Sequence, residues 1–310
     1  MVSREEFDKY LDNLLKDEKD NSNLKYLTTG AATLAILATF FGGFFTLFCI
    51  CMSFFEYVLI FPLIVSAFCL VWGIRRLIKI NKIKKYFEDT YSNKVVEYLL
   101  EGKKYMLDRK SYIMSSIFEK SQFGGNFNRY DGEDWLKINI QSDDGSASNT
   151  DLILCDLDVR KEEKDEDGET RTYTVFEGIF GYIDFPCKFN CALCINTRHY
   201  GEVAMEKVEL EDINFNDNFS VYGSNQIEAR YILTPDMMLK LLSFKEIAKK
   251  LKITMIGNRM YVGFSALRLF ETKNVVNGDV VSMFRNFYTP IYVLFTLIEE
   301  IKNNDKVFKI

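Results

Sequence analysis

The stretch TTGAATLAILATFFGGFFTLFCICMSFFEYVLIFPLIVSAFCLVWGI, residues Thr28 to Ile74, decides the predicted fold. It contains a single charged residue, Glu56. A bilayer core of about 30 Å is crossed by about 20 helical residues, so this run is about twice as long as one span requires. The sequence therefore predicts a transmembrane hairpin over residues 28–74, with helices at about 28–50 and 54–74.

Two other interpretations of this run are disfavoured. Buried helices of a globular core are polar on part of their surface, whereas this run is apolar all round. A cleaved signal peptide would begin with a short basic segment, whereas the first 25 residues here form a long and acidic segment.

A basic run, RRLIKINKIKK, follows the apolar stretch directly. Because cytoplasmic flanks of membrane helices are rich in Lys and Arg, this end is expected in the cytoplasm, and two spans return the N-terminus to the same side. We therefore expect a multi-pass protein of the cell membrane with both termini and the main domain in the cytoplasm. The run either only sets this topology or also binds anionic lipid headgroups. Its cations are Arg75, Arg76, Lys79, Lys82, Lys84 and Lys85.

The rest of the chain is predicted to be helical near the membrane and α+β beyond it. Residues 1–27 form a cytoplasmic amphipathic N-terminal helix, begun by a capping box of Ser3 and Glu6. Residues 75–102 form a basic juxtamembrane helix. Residues 103–310 form a cytoplasmic α+β domain, whose sheet is mainly antiparallel with flanking helices because short turns join the strand-like runs.

Two local patterns inside this domain give sharper expectations. The charged segment RKEEKDEDGET, which follows Val159, predicts a solvated hairpin loop. Thr234 followed by Pro235 predicts a helix start, with Thr234 as the cap.

Composition excludes several function classes. The 310 residues carry a net charge of −5, and no basic excess points to nucleic acid. The only histidine is His199, which excludes metal sites built from several histidines.

Three cysteines lie in PCKFNCALCINTRHY, residues 186–200, with the spacing C-x3-C-x2-C. A helix would bring these sulfurs to one face, whereas a turn followed by a strand would separate them. The strand interpretation is favoured because the preceding strand-like run reaches Phe185 and PCKFN is typical of a turn. Cys187, Cys191 and Cys194 are therefore expected to bind neither a metal nor a cofactor, and to be free thiols in the reducing cytoplasm.

Two groups of charged residues are candidate binding sites. Asp131, Glu133 and Asp134 either hold a divalent cation or form a polar turn before a strand. Glu228 and Arg230 are two residues apart, so a strand would place them on one face, where they could pair.

The motifs SSIFEKSQFGGNFNRYDGEDWLKINI, FEGIFGYIDF, NFSVYGSNQIEARYILTP and NRMYVGFSALRLFE resemble a bacterial family of two-pass membrane proteins of unknown function, domain-of-unknown-function family 3137. The likeness runs from about residue 25 to the end and is most specific from Phe219 to Pro235. The chain departs from the family pattern near Lys137, where a glycine is expected, and at the three cysteines. The resemblance implies a fold and a location, but no activity and no catalytic residues.

The function expected from these features is a membrane-tethered cytoplasmic interaction or scaffold module. Its partners would be the lipid bilayer and an unknown protein, with no nucleic acid. The alternative is a membrane-anchored enzyme that acts on a lipid or phosphate-bearing substrate and uses a divalent metal held by Asp131, Glu133 and Asp134. A transport role would need an oligomer, because two spans with only Glu56 offer no polar pathway. No enzyme class is supported by a motif.

Overall fold

The computed structural model describes residues 2–14, 29–53, 60–140, 150–164, 167, 169–197, 205–248, 250–270, 280–304 and 307. The chain divides into two compact units. A helical unit comprises Val2–Leu99 and Phe270–Arg285, and a sheet unit comprises Leu100–Leu269 and Asn286–Ile310. His199 lies outside the described residues.

The first helix, α1 (Arg4–Leu14), begins where the sequence predicts. The Ser3 N–H and hydroxyl donate to Glu6 Oε2 at 3.0 and 2.8 Å, and the Glu6 N–H donates to Ser3 Oγ at 3.3 Å. This reciprocal pairing is the predicted capping box. Phe7 and Leu11, four residues apart, are fully buried on one face of the helix.

Two long helices follow, α2 (Thr29–Ser53) and α3 (Ile60–Leu100). They pack closely at Gly42, where a side chain would not fit. A Cβ added at Gly42 would lie only 2.9 Å from the Leu70 backbone. The Thr46 hydroxyl donates to Ser66 Oγ at 3.0 Å across the same contact. Glycine and small hydroxyl residues at Gly42 and Ser66 thus allow the two helices to approach closely.

Both helices expose many large apolar side chains. Their exposed fractions run from 39% for Trp72 to 71% for Phe68. On α2 these residues are Leu34, Ile36, Leu37, Phe40, Phe41, Phe44 and Leu47; on α3 they are Ile64, Val65, Phe68, Val71, Trp72, Ile74 and Ile78.

The predicted transmembrane hairpin is wrong as a fold assignment, although residues 29–53 and 60–74 are helical. Within the described ranges, no helix combines the length and the apolar character needed to cross a membrane. In α3 the apolar part before Arg75 covers residues 60–74, about 22 Å of helix against a bilayer core of about 30 Å.

The described residues of the sheet unit form nine strands, all paired antiparallel. The predicted antiparallel sheet with flanking helices is therefore found. The strands are β1 (Tyr105–Asp108), β2 (Arg129–Ile140), β3 (Thr150–Lys164), β4 (Thr170–Asp184), β5 (Leu193–Thr197), β6 (Glu206–Val208), β7 (Phe219–Gly223), β8 (Leu251–Ile256) and β9 (Arg259–Ser265). Their order across the sheet is β1-β2-β3-β4-β9-β8-β5-β7-β6.

The helices of this unit are short, apart from the last. They are α4 (Ser115–Lys120), α5 (Ile213–Asn218), α6 (Gln226–Ile232), α7 (Pro235–Ile247) and α8 (Val280–Lys302), the last of which begins in the helical unit. The predicted start of α7 is confirmed, because Thr234 Oγ1 accepts from the Met237 N–H at 3.2 Å.

The charged segment after Val159 lies mostly in strands and not in a loop. β3 continues to Lys164 and β4 begins at Thr170, and cross-strand pairs such as Glu163 with Arg171 extend the hairpin. Charged side chains occupy both faces of this ribbon because both faces are open to water.

An aromatic cluster packs on one face of the sheet. Phe118 from α4 lies within 5.1 Å of the Phe180 ring on β4, centroid to centroid, and Phe123 within 5.3 Å of the same ring. Cys155 and Leu157 of β3 are buried in this cluster. The short helix α4 is therefore held to the sheet by its single buried aromatic residue, Phe118.

Candidate functional site

The main irregularity of the sheet is a bulge in β2. Glu133 pairs with Asp156 and Leu136 with Leu154, so two residues, Asp134 and Trp135, lie opposite one residue of β3. Asp134 has φ +61°, a left-handed conformation that Asp adopts more readily than most residues. The bulge is fixed from outside, because the Asp134 N–H donates to the Arg109 carbonyl at 3.3 Å.

Asp134 forms a buried ion pair at this bulge. Arg109 Nε lies 2.7 Å from Asp134 Oδ1, and the two side chains are 25% and 2% exposed. A buried carboxylate needs such a partner, because removing one member of a buried pair leaves an uncompensated charge.

Asp156, across the strand pair, is 1% exposed. Both of its carboxyl oxygens lie close to the Leu269 N–H, which donates at 3.0 and 3.1 Å. Burial raises the pKa of Asp156 well above its usual range, and the Asp134 carboxylate raises it further. Asp156 therefore stays protonated at pH values at which a solvated aspartate is ionised.

Arg268 links two further acids. Its Nη1 lies 3.3 Å from Glu133 Oε1, and its Nη2 lies 3.3 Å from Glu177 Oε1 on β4. The bulge cluster, as we call it, thus joins four acidic and two basic side chains from separate segments. Its members are Arg109, Glu133, Asp134, Asp156, Glu177 and Arg268.

The structure brings two of the three predicted acids together. Glu133 and Asp134 belong to the bulge cluster, and each is engaged by an arginine. Asp131 is exposed, and its Oδ1 accepts from the Gly132 N–H at 2.9 Å. Among the described residues, no group of three or more His, Cys, Asp or Glu side chains is arranged to hold a metal ion.

Glu228 and Arg230 lie on helix α6, so the prediction of a strand here is wrong. Residues two apart on a helix point about 200° apart, which separates their side chains. Asn225 starts the helix, since its Oδ1 accepts from the Ile227 N–H at 2.9 Å. Arg230 Nη2 donates instead to the Glu209 carbonyl at 3.0 Å.

Helix α6 also covers the edge of the sheet. Gln226 and Arg230 are four residues apart, on one face of the helix. Gln226 Nε2 donates to the Lys207 carbonyl of the edge strand β6 at 2.8 Å, and Arg230 reaches Glu209 just beyond that strand. These bonds occupy carbonyl groups near an edge that would otherwise be open to another chain.

The cysteine segment is a turn followed by a strand, as the favoured interpretation predicts. Cys187 is exposed in the turn, whereas Cys194 is buried on β5. The Cys194 thiol accepts from Thr254 Oγ1 at 3.6 Å and donates to Asn196 Oδ1 at 3.4 Å. Burial raises the pKa of Cys191 to about 11 and also raises the pKa of Cys194. Both buried thiols are therefore protonated at neutral pH.

One buried lysine could not be predicted from the sequence. Lys252 on β8 is 3% exposed, and its Nζ donates to the Gln122 carbonyl at 2.6 Å. Its ammonium also lies 5.0 Å from the Phe123 ring centroid. Burial lowers the pKa of Lys252. Lys252 lies in an alternating strand pattern, in which a lysine ordinarily faces water. Its burial results from the segment with Gln122 and Phe123, which packs over this face of the sheet.

A domain of unknown function is found in part of the chain. Residues 174–303 match the family described as "Protein of unknown function (DUF3137)". The match is narrower than the resemblance predicted from residue 25 onward. The predicted two-pass region lies outside the match, which therefore does not confirm it. No curated protein sequence matches this chain. Among solved structures, the crystal structure of the mycobacterial trehalose monomycolate transport factor A, TtfA, is similar at 10% identity and a TM-score of 0.35, covering 66% of this chain and 92% of that one. Similarity at this level does not establish a shared fold.

Proposed function

We propose that this protein is a membrane-associated interaction or scaffold module of the cell membrane. In this proposal the helical unit contacts a lipid bilayer, and the sheet unit binds another protein. The observation that carries the proposal is the row of exposed apolar side chains on α2 and α3. Contiguous apolar surface of this kind is rare on proteins whose whole surface faces water.

The distribution of these side chains supports lipid as the contact. On α2 the exposed positions from Leu34 to Leu47 cover almost half of the helix circumference, at about 100° per residue. The opposite side of α2, with Ala35 and Gly42, packs against its neighbour. A broad apolar face on each of two packed helices fits a fluid apolar medium better than one complementary protein groove.

The chemistry of the sheet unit supports binding over catalysis. The acids that would serve as ligands of a divalent ion are engaged by guanidinium groups, Asp134 by Arg109 and Glu133 by Arg268. Such pairing stabilises the bulge and lowers the capacity of these carboxylates to take up a cation.

Flotation with vesicles tests the lipid contact. The chain, freed of detergent in the presence of phosphatidylcholine vesicles, is expected to float with them. The triple variant Phe40→Ser, Phe44→Ser and Phe68→Ser should float much less, because each of these side chains is at least 65% exposed. The matched control is Ile213→Ser, Ile227→Ser and Leu239→Ser, which removes side chains at least 62% exposed from the sheet unit. Equal loss in both variants would overturn the lipid contact.

Crosslinking in membranes tests the second half of the proposal. A photoreactive residue at Tyr231, exposed on α6, should capture the same protein in repeated preparations at native expression. Recovery of lipid alone from this position would overturn the interaction role.

A further inference from the structure

We infer that one face of α3 carries a binding site for anionic phospholipid headgroups, formed by Arg75, Lys79 and Lys82. This inference rests on the proposed function, because it needs the apolar part of the same helix to contact the bilayer. The proposed function rests on apolar surface alone and does not distinguish one lipid from another. The inference names the ligand class as lipids whose headgroup bears a net negative charge.

Apolar and basic side chains are aligned on one face of α3. Ile64, Phe68, Trp72, Arg75, Lys79, Lys82 and Tyr86 follow one another at steps of three or four residues. At about 100° per residue they fall within an arc of about 80° on the helix. One face of a single helix is thus apolar at its start and basic farther along.

All seven of these side chains are solvent-accessible. Ile64 is 60% exposed, Phe68 71% and Trp72 39%, and the three cations that follow are exposed as well. Arg75 and Lys82 form no ion pair with any described residue, so protein carboxylates do not neutralise these two cations within that part of the chain. Phosphate groups of a bilayer surface would supply the missing counter-charge.

The spacing of these side chains along the helix axis matches the layers of a bilayer surface. Phe68 and Lys82 are about 21 Å apart at about 1.5 Å per residue. The headgroup layer is roughly 5 to 8 Å thick on each side of the hydrocarbon core. A distance of about 21 Å is therefore long enough for Phe68 to contact acyl chains while Lys82 reaches the headgroups.

Trp72 lies at the boundary between the apolar and basic parts of the face. The Arg76 guanidinium carbon lies 5.0 Å from the centroid of the Trp72 ring. Tryptophan is enriched at membrane–water interfaces, where its ring is apolar and its N–H is hydrated. A tryptophan at this position also provides a local probe of the lipid that occupies the site.

Quenching of Trp72 by brominated lipids tests the inference. The chain has two tryptophans, so the Trp135→Phe variant leaves Trp72 as the only emitter. Brominated phosphatidylglycerol is expected to quench Trp72 more strongly than brominated phosphatidylcholine at equal mole fraction. The variant Arg75→Gln, Lys79→Gln and Lys82→Gln should lose this preference, which at about fivefold per cation amounts to roughly 100-fold in relative affinity. The control Lys104→Gln, Lys110→Gln and Lys188→Gln removes three exposed lysines of the sheet unit and should keep it.

The outcomes separate the site from the proposed function. Equal quenching by the two lipids would overturn the headgroup site but leave the bilayer contact standing, whereas no quenching by either lipid would overturn both. Repeating the quenching in inorganic phosphate and in sodium chloride at equal ionic strength distinguishes a site for lipid headgroups from a site for free phosphate. Loss of the preference in phosphate alone would assign the site to free phosphate and overturn the lipid inference. The same preference can be measured without the Trp135→Phe substitution, from the ratio of the two lipids that copurify with the unsubstituted chain.

Discussion

Replacing Asp156 by Asn should make the sheet unit less sensitive to rising pH. Asp156 is 1% exposed and has the Leu269 N–H as a hydrogen-bond donor. The amide of Asn has nearly the same shape, keeps an oxygen for this N–H and never ionises. The substitution therefore removes the charge that Asp156 would otherwise acquire in a buried position.

The sign and size of the effect follow from proton linkage. The folded-state pKa of Asp156 is raised, so the folded chain holds a proton that the unfolded chain releases near pH 4. Below that pH the group has no linkage effect. Above it, the free energy of unfolding falls by about 1.4 kcal/mol per pH unit, until the pH passes the folded-state pKa. Asp156→Asn lacks this loss, so its stability relative to the unsubstituted chain should rise by about 1.4 kcal/mol per pH unit over the same window.

Urea unfolding at a series of pH values measures this difference. In a Trp72→Phe background the remaining tryptophan is Trp135, which lies in the bulge and reports on it directly. Asp158→Asn is the control on the same strand, where Asp158 pairs with Arg160 at 2.6 Å and is 30% exposed. It should cost at most about 1 kcal/mol, as a partly exposed ion pair does. A difference between Asp156→Asn and the unsubstituted chain that stays constant with pH would refute the assignment of Asp156 as a buried, protonated acid.

Two further variants test the bulge and the sheet edge. Arg109→Leu should lower the free energy of unfolding by about 3–5 kcal/mol, because Asp134 is left buried without its guanidinium, whereas Lys110→Leu next to it should change stability by less than about 0.5 kcal/mol. Equal effects in urea unfolding would contradict the buried pair. Gln226→Ala with Arg230→Ala should uncover the carbonyls of β6 and its extension, and cause self-association that increases with concentration in size-exclusion chromatography. Glu228→Ala on the same helix is the control, and a double variant that elutes like its parent would refute the role of α6 as an edge cover.

Local rules predicted the elements that carry their own signal. The capping box of Ser3 and Glu6 and the Thr234 cap are set by residues within one turn of each helix start, so tertiary structure has little to change. Helix α6 was misread because seven residues hold only two turns, too few for periodicity to show. Its buried residues Ala229 and Ile232 are three apart, as in a helix, and Asn225 before them is a cap, so the signal was present but weak.

The bulge cluster could be predicted only in part, because its members come from segments far apart in the chain. Glu133 and Asp134 stood out as neighbouring acids, but Arg109 and Arg268 reach them only through the folded chain. One signal was available for Asp156. Its position in the alternating strand places it on the same face as Leu152 and Leu154, where an apolar residue is expected. A lone acid on an apolar strand face indicates a buried polar contact, although it cannot identify the partner.

The predicted transmembrane hairpin, which the structure does not support, shows what an apolar sequence run does and does not determine. The run between Thr28 and Ile74 predicted two helices, and helices are found at Thr29–Ser53 and from Ile60 onward. Crossing a bilayer is a stronger requirement, since it needs one helix to stay apolar over about 30 Å. In α3 the basic residues begin at Arg75, after about 22 Å of apolar helix. Phe40, Phe44 and Phe68 are apolar, so their transfer from water to an apolar medium is favourable. All three are exposed on the helices, so the described chain does not bury them. The measurements that bear on this surface are therefore those of lipid contact, by flotation and by quenching of Trp72.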